Sequence, residues 1–90
     1  MNDIQNIQIV LARMAELLRS GGLSDWARAF ESFRSELQQD PSATTAKILS
    51  MYGGMGSLND LVLYKDGKVL AQENDELDAL RSRLYELCRS

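Results

Sequence analysis

The sequence contains no histidine and only one cysteine, Cys88, among its 90 residues. The lack of histidine removes Ser-His and Cys-His nucleophile pairs and nearly every structural or catalytic zinc site. A single cysteine cannot form an intramolecular disulfide, so the fold needs no oxidising compartment. Cys88 lies among apolar helix positions without a base to activate it, which favours a buried structural thiol. We therefore expect no catalytic residue, no metal site and no cofactor, and lean against an enzyme.

The sequence also lacks an excess of basic residues and any long apolar run. Its formal net charge is -3, whereas a nucleic-acid surface needs clustered cations that release phosphate counterions. No apolar run approaches the length that spans a membrane. The residues after Met1 lack the cationic start and continuous apolar stretch of a signal peptide. We therefore expect a cytoplasmic protein that binds neither nucleic acid nor a membrane.

The apolar content is sufficient for one core. Hydrophobic residues make up 44% of the chain and charged residues 26%, which is ordinary for a soluble globular protein. A chain of this length buries roughly 60 to 70% of the surface that it exposes when unfolded. Because no repeat, low-complexity tract or linker divides the sequence, we predict a single domain over residues 1–90.

The spacing of apolar residues predicts three helices in the first part of the chain. The first begins at Ile4 and ends at Ser20, before two glycines. Ser24 is expected to cap the second helix, and Pro41 suits the first turn of the third, which should end at Gly53. The expected buried faces are Ile7, Leu11, Met14 and Leu18 in the first helix, Trp26, Phe30, Phe33 and Leu37 in the second, and Thr45, Ile48, Leu49 and Tyr52 in the third.

A β-hairpin is expected after the third helix. Residues 61–64 are rich in strand formers, a turn signal follows them, and residues 69–71 would form the return strand. A two-residue turn pairs Tyr64 with Val69, whereas a three-residue bulged turn pairs Leu63 with Val69. The sequence leaves this register open.

A last helix is expected to begin at Asn74, whose side chain would cap it. Acidic residues crowd its start and arginines its end, a placement that the helix dipole favours and that makes a metal site less plausible. The predicted fold is therefore α+β and mostly helical, in the order α-α-α-β-β-α, with one hairpin packed on helices. Heptad-like stripes in the first and last helices, together with a hairpin edge, further predict a partial homodimer. The stripe of the last helix is Leu77, Leu80, Leu84 and Leu87.

The most conspicuous stretch is the glycine segment, which we define as Tyr52 to Asp60 (YGGMGSLND). Its three glycines expose the backbone and could hold an anion, but phosphate loops lead from a strand into a helix, and this segment leads from a helix into a strand. A helix terminator followed by a close turn is the favoured interpretation, and contact with a partner or ligand is the alternative. The residues that would make this contact are Gly54, Met55, Gly56, Ser57, Asn59 and Asp60.

The stretch from Met51 to Leu63, with the Trp26-Ala27-x-x-Phe30 element before it, resembles a family of short bacterial proteins of unknown function. The resemblance covers most of the chain. It implies a bacterial cytoplasmic setting and makes the YGGMGSLNDLVL segment a family hallmark. It transfers no activity, ligand or catalytic residue.

The leading functional hypothesis is a non-enzymatic protein–protein interaction module of the immunity or regulatory type. A compact acidic chain without a nucleophile–base pair suits binding better than chemistry, and the contact surface would be the glycine segment with the neighbouring hairpin. One alternative is a small-ligand or nucleotide-binding protein, conceivably an enzyme subunit, that uses Ser57, Asn59 and Asp60. Another alternative is an oligomeric structural protein.

Overall fold

The computed structural model describes residues 3–53 and 57–89. Four α-helices occur in these two stretches: α1 (Ile4–Ser20), α2 (Ser24–Gln39), α3 (Pro41–Leu49) and α4 (Ala71–Arg89). A one-turn 3-10 helix (Leu58–Asp60) and the strands β1 (Tyr64–Lys65) and β2 (Lys68–Val69) lie between α3 and α4. The structure confirms the expected α+β, mostly helical fold and its element order.

Helix α1 lies at the centre of the fold and packs against both α2 and α4. Its predicted stripe is fully buried, because Ile7, Leu11, Met14 and Leu18 each have 0% exposed surface. One apolar cluster joins this stripe to Phe30 of α2, Ile48 of α3, and Leu77 and Leu84 of α4. The stripes of the first and last helices are thus buried largely within one chain, so they give no support to the homodimer, which stays a prediction.

The backbone of the connection between α1 and α2 shows why two glycines, Gly21 and Gly22, follow α1. The N–H of Leu23 donates to the carbonyl of Leu18 at 2.8 Å, and that of Gly22 donates to the carbonyl of Arg19 at 3.2 Å. This pair of bonds is the Schellman arrangement, in which Gly22 takes the left-handed conformation with φ +79°. Helix α2 then begins at Ser24, and Leu23 holds the cap position without a side-chain bond. The prediction of Ser24 as the cap was wrong, because the backbone of the preceding turn already fixes the start of α2.

Helix α3 ends earlier than its sequence indicated. Asp40 caps it through a bond from the N–H of Ala43, and its last residue is Leu49. The N–H of Tyr52 donates to the carbonyl of Leu49 at 3.2 Å, so the chain leaves the helix through a tighter turn before Gly53 is reached. Tyr52 therefore lies outside the helix, and Gly53 adopts a positive φ of 87° in the connection that follows.

The hairpin uses the shorter of the two expected turns. Tyr64 lies opposite Val69, and Lys65 lies opposite Lys68. Both turn residues have positive φ, 52° at Asp66 and 77° at Gly67, which is the conformation of a type I′ turn and matches the twist of the strands.

The return strand is shorter than expected, since α4 already begins at Ala71. The prediction that Asn74 caps the last helix was wrong. Asn74 lies inside the first turn of α4, and its side chain bonds to the backbone of Leu63 and Leu70. The orientation of the Asn74 side chain is set by its bonds to Leu63, eleven residues earlier, and not by capping of the helix. None of the helices in the described parts of the chain is both long and apolar enough to cross a membrane.

Candidate functional site

The described end of the glycine segment is a tight turn built around Leu58. Ser57 Oγ accepts a hydrogen bond from the N–H of Asn59 at 3.3 Å, and the N–H of Asp60 donates to the carbonyl of Ser57 at 3.0 Å. Leu58 has 0% exposed surface, and its N–H donates to the carbonyl of Met51 at 3.0 Å. This part of the segment therefore shapes the fold and places Leu58 in the core. Gly54, Met55 and Gly56, which the sequence also offered as contact residues, lie outside the described residues.

Arg81 of α4 holds the glycine segment from both sides. Its Nη1 donates to the carbonyl of Leu58 at 2.9 Å, and its own carbonyl accepts a bond from Tyr52 Oη at 2.7 Å. The guanidinium also pairs with the carboxylate of Asp78, one turn earlier in the same helix. The side chain of Arg81 is only 13% exposed, so this largely covered guanidinium links α4 to the glycine segment. From the sequence, this arginine was expected only to suit the helix dipole, because no local pattern connects it to Tyr52 or Leu58, more than twenty positions earlier.

An open groove of about 590 Å³ lies between the end of α3 and α4. Its volume falls within the roughly 300 to 1,000 Å³ of small-molecule sites. The ring centroids of Tyr52 and Tyr85 are 5.1 Å apart in an edge-to-face contact, and the guanidinium of Arg89 lies 5.7 Å from the Tyr85 centroid. Of the expected polar contact residues, the structure brings Asn59 to this groove and leaves Ser57 and Asp60 outside its lining. The lining is formed by Leu49, Tyr52, Gly53, Asn59, Arg81, Ser82, Tyr85 and Glu86.

Two groups near this groove, Tyr52 and Cys88, hold their protons more tightly than usual. Burial raises the pKa of Tyr52 above its ordinary value, and burial raises the pKa of Cys88 to about 11. A thiol that stays protonated is a weak nucleophile, and the hydroxyl of Tyr52 already donates a hydrogen bond to the carbonyl of Arg81. In residues 3–53 and 57–89, no three histidines, cysteines or acids converge to hold a metal ion.

A second surface lies on the hairpin, which the sequence had offered as part of the contact surface without naming its exposed residues. Val62, Tyr64 and Val69 are 43%, 50% and 55% exposed. Tyr64 and Val69 are opposite each other, and Val62 shares their face because side chains alternate along an extended chain. We call these three residues the hairpin patch. The signal in the sequence was the alternation within residues 61–64, where buried Leu63 separates two exposed apolar residues.

The hairpin is held in place by contacts on its other face. Leu63 has 0% exposed surface and lies so close to Gly21 that a Cβ atom at that glycine would be 2.8 Å from Leu63 Cβ. Asn74 fixes the backbone of Leu63 at the start of α4. The hairpin patch therefore lies on a hairpin whose opposite face is anchored to the core and to α4.

Comparison with known proteins identifies a family of unknown function. No curated protein and no solved structure matches the chain. The model of a family described as a domain of unknown function, DUF6966, matches residues 19–71. This match contains the Trp26–Phe30 element, the glycine segment and the hairpin patch. Because it spans more than half of the 90 residues, the chain belongs to the DUF6966 family.

Proposed function

We propose that this chain is a non-enzymatic protein–protein interaction module of the immunity or regulatory type, which binds its partner through the hairpin patch. The observation that carries the proposal is the exposure of three large apolar side chains on one face of the hairpin. Apolar surface gains roughly 25 cal/mol per Å² when it leaves water, and contiguous exposed apolar patches mark interaction sites. We also propose that the protein acts in the bacterial cytoplasm, as the family resemblance of its sequence implies.

The hairpin patch differs from the other strongly exposed aliphatic side chain of the described residues. Ile9 is 60% exposed, but its neighbours in the adjoining surface depression are mostly polar or charged, among them Gln5, Gln8 and Arg13. Single exposed apolar residues are normal on protein surfaces and need no partner. Ile9 therefore serves as a matched control for the hairpin patch.

The chemistry of the described side chains also favours binding over catalysis. Cys88 is buried and its pKa is raised to about 11 by burial. The phenol of Tyr52 and the guanidinium of Arg81 are engaged in bonds that hold the fold. These groups stabilise the groove and are not free to activate a substrate.

The test compares partner capture by three forms of the chain. The double variant Tyr64→Thr and Val69→Thr places β-branched threonine at both strand positions and removes much of the apolar surface, and Ile9→Thr is the control. We expect tagged wild-type protein and the control to capture the same partner from the native lysate, as identified by mass spectrometry. The hairpin variant should capture much less of it at an unchanged melting temperature. Equal capture by all three forms would contradict the proposal.

The groove favours a second candidate, a small-ligand or nucleotide-binding protein. Its volume of about 590 Å³ and the presence of Asn59 in its lining are the supporting observations. A ligand at about 100 times its dissociation constant adds about 2.7 kcal/mol to stability. A metabolite that raises the melting temperature of the wild type, and not of Asn59→Ala, would favour this candidate.

A further inference from the structure

The outer edge of β1 carries backbone groups that the hairpin does not use. The N–H of Leu70 donates to the carbonyl of Leu63 at 3.0 Å, so the backbone of Leu63 faces the return strand. Backbone groups alternate from side to side along a strand, and those of Val62 and Tyr64 therefore face away from it. Within the described residues, no backbone hydrogen bond engages Val62. Unpaired groups of this kind are a template for a further strand.

The tip of the hairpin is positive, although the whole chain is acidic. Residues 61–70 contain two lysines and one aspartate, which gives a net charge of +1, whereas the chain carries -3. Lys65 and Lys68 lie directly opposite each other, an arrangement in which like charges repel. Lys47 pairs with Glu36 at 2.7 Å, but neither hairpin lysine has an ion-pair partner in the described parts of the chain. An anionic group placed beside them would relieve this repulsion.

We propose that the edge of β1 binds, as an additional strand, an extended segment of a partner protein in which apolar and acidic residues alternate. The proposal rests on the proposed function and names the chemistry of the partner. Side chains of an added strand alternate between its faces, so apolar residues contact the hairpin patch on one face. Acidic residues then lie beside Lys65 on the other face. Main-chain bonds to Val62 and Tyr64 supply affinity, and the alternating side chains supply specificity.

A second copy of this chain fits the edge less well. Its own β1 region would supply Val62 and Tyr64 on the apolar face, but Leu63 and Lys65 on the other. Leu63 is fully buried in its own core, and Lys65 would bring a further cation to a positive tip. The self-paired edge therefore places no acidic side chain beside Lys65.

The experiment uses the full chain and a capped peptide of about eight residues, a usual strand length, in which valine and glutamate alternate. A matched peptide carries lysine in place of glutamate, and a third carries N-methyl groups on alternate residues of the valine–glutamate sequence. We expect calorimetry to show binding of the valine–glutamate peptide, at least about tenfold weaker binding of the lysine peptide, and none of the methylated peptide. Amide hydrogen exchange at Val62 and Tyr64 should slow when the first peptide binds.

Variants of the chain locate the contact. Lys65→Gln should weaken the valine–glutamate peptide about two- to fivefold, as expected for an exposed ion pair. Tyr64→Thr should weaken it about tenfold or more through lost apolar contact. Lys47→Gln, which removes a lysine away from the hairpin, should leave the peptide affinity unchanged.

The outcomes separate this inference from the proposed function. Equal binding of the glutamate and lysine peptides, or full binding of the methylated peptide, would overturn the strand-addition mode. A dimer detected by light scattering without peptide would also overturn it if Tyr64→Thr made that dimer dissociate, because the edge of β1 would then bind a second copy of the chain. Partner capture that depends on the hairpin patch, without any binding of the valine–glutamate peptide, would overturn this mode and leave the proposed function standing. If the hairpin variants captured the partner as well as the wild type does, and no peptide bound, both the strand-addition mode and the proposed function would be overturned.

Discussion

The side-chain amide of Asn74 pairs with the backbone of Leu63. The N–H of Leu63 donates to Asn74 Oδ1 at 2.7 Å, and Asn74 Nδ2 donates to the carbonyl of Leu63 at 3.1 Å. The same Nδ2 donates to the carbonyl of Leu70 at 2.9 Å. One side chain therefore ties both sides of the hairpin to the first turn of α4.

Replacing this amide should destabilise the whole fold. Asn74→Ala is expected to lower the free energy of unfolding by about 2 to 4 kcal/mol, because it leaves part-buried backbone groups without partners. Asn74→Asp should not rescue stability, since a carboxylate can accept from Leu63 but cannot donate to two carbonyls. Urea denaturation measures the change, and Asn59→Ala is the control at an exposed asparagine. A loss below about 0.5 kcal/mol for Asn74→Ala would show that water replaces these bonds.

The two glycines after α1 should respond differently to alanine. At Gly21 the added Cβ would lie 2.5 Å from Leu63 Cδ2 and 2.8 Å from Leu63 Cβ, so we expect a loss of about 2 to 3 kcal/mol from overpacking. At Gly22 the space is open, but φ is +79°, which costs about 1 kcal/mol for a residue with a Cβ. Thermal and chemical denaturation of both variants measure the difference. If Gly22→Ala proved the more damaging, conformational strain and not the contact with Leu63 would dominate here.

Stability should fall at alkaline pH because of Cys88 and Tyr52. Burial raises the pKa of Cys88 from 9.0 to about 11 and shifts the pKa of Tyr52 in the same direction. Each raised pKa means that the folded state holds the proton more tightly than the unfolded state. The stabilisation from Cys88 is therefore complete below pH 9 and is lost as pH rises towards 11, whereas that from Tyr52 begins to fall only above its ordinary pKa of 10. Denaturant midpoints between pH 8 and pH 11 should reveal the fall. Cys88→Ala and Tyr52→Phe should each reduce its slope, and unchanged slopes would argue against these two groups.

The ion pair that joins α1 to α4 should contribute little. Arg13 Nε and Nη2 donate to the carboxylate of Glu76 at 2.6 and 2.9 Å, and this hydrogen bond lowers the pKa of Glu76. The side chains are 45% and 40% exposed, so a double-mutant cycle with alanine should give a coupling of about 0.2 to 1 kcal/mol. The contribution is present above the ordinary pKa of a glutamate and is lost as pH falls through its lowered value. Glu73→Ala, which removes another acid from the first turn of α4, is the control, and a coupling above about 2 kcal/mol would mean that the pair is far better shielded from water than its exposure indicates.

The glycine segment should separate into conformational and contact residues. Gly53→Ala is expected to cost about 1 kcal/mol, because φ is +87° at this position. The double variant Ser57→Ala and Asn59→Ala should cost less, since the bond between these residues is exposed and 3.3 Å long. Melting curves and partner capture should be measured on the same samples. Loss of capture at unchanged stability in the polar double variant would add Asn59 and Ser57 to the contact surface. Retained capture would show that these two residues have only a structural role.

The parts of the fold that could be predicted are those set by local periodicity. The bounds of α1 follow from apolar residues at helical spacing and a left-handed glycine at its end, and both are local properties. The hairpin was expected for the same reason, but its register was settled only by the positive φ values of Asp66 and Gly67. The start of α4 was misplaced, because Asn74 resembles a cap in sequence and instead bonds to Leu63, eleven residues earlier.

The surfaces were harder to predict than the elements. The hairpin patch required knowledge of which side of the strand faces the core, and this was decided by the contact between Leu63 and Gly21. The groove required Arg81 to reach Leu58 across a separation of 23 residues. No periodicity in the sequence encodes such a contact, since it depends on how α4 lies against the rest of the chain.

Two residues of the glycine segment, Tyr52 and Leu58, are both tied to Arg81 of α4. Tyr52 bonds to the carbonyl of Arg81 and Leu58 to its guanidinium, while Leu58 also bonds to the backbone of Met51. The two described sides of the connection are thus held from outside it, at one point of α4. A displacement of α4 at Arg81 would therefore release the end of α3 and the 3-10 helix together, and the groove between them and α4 would lose its shape.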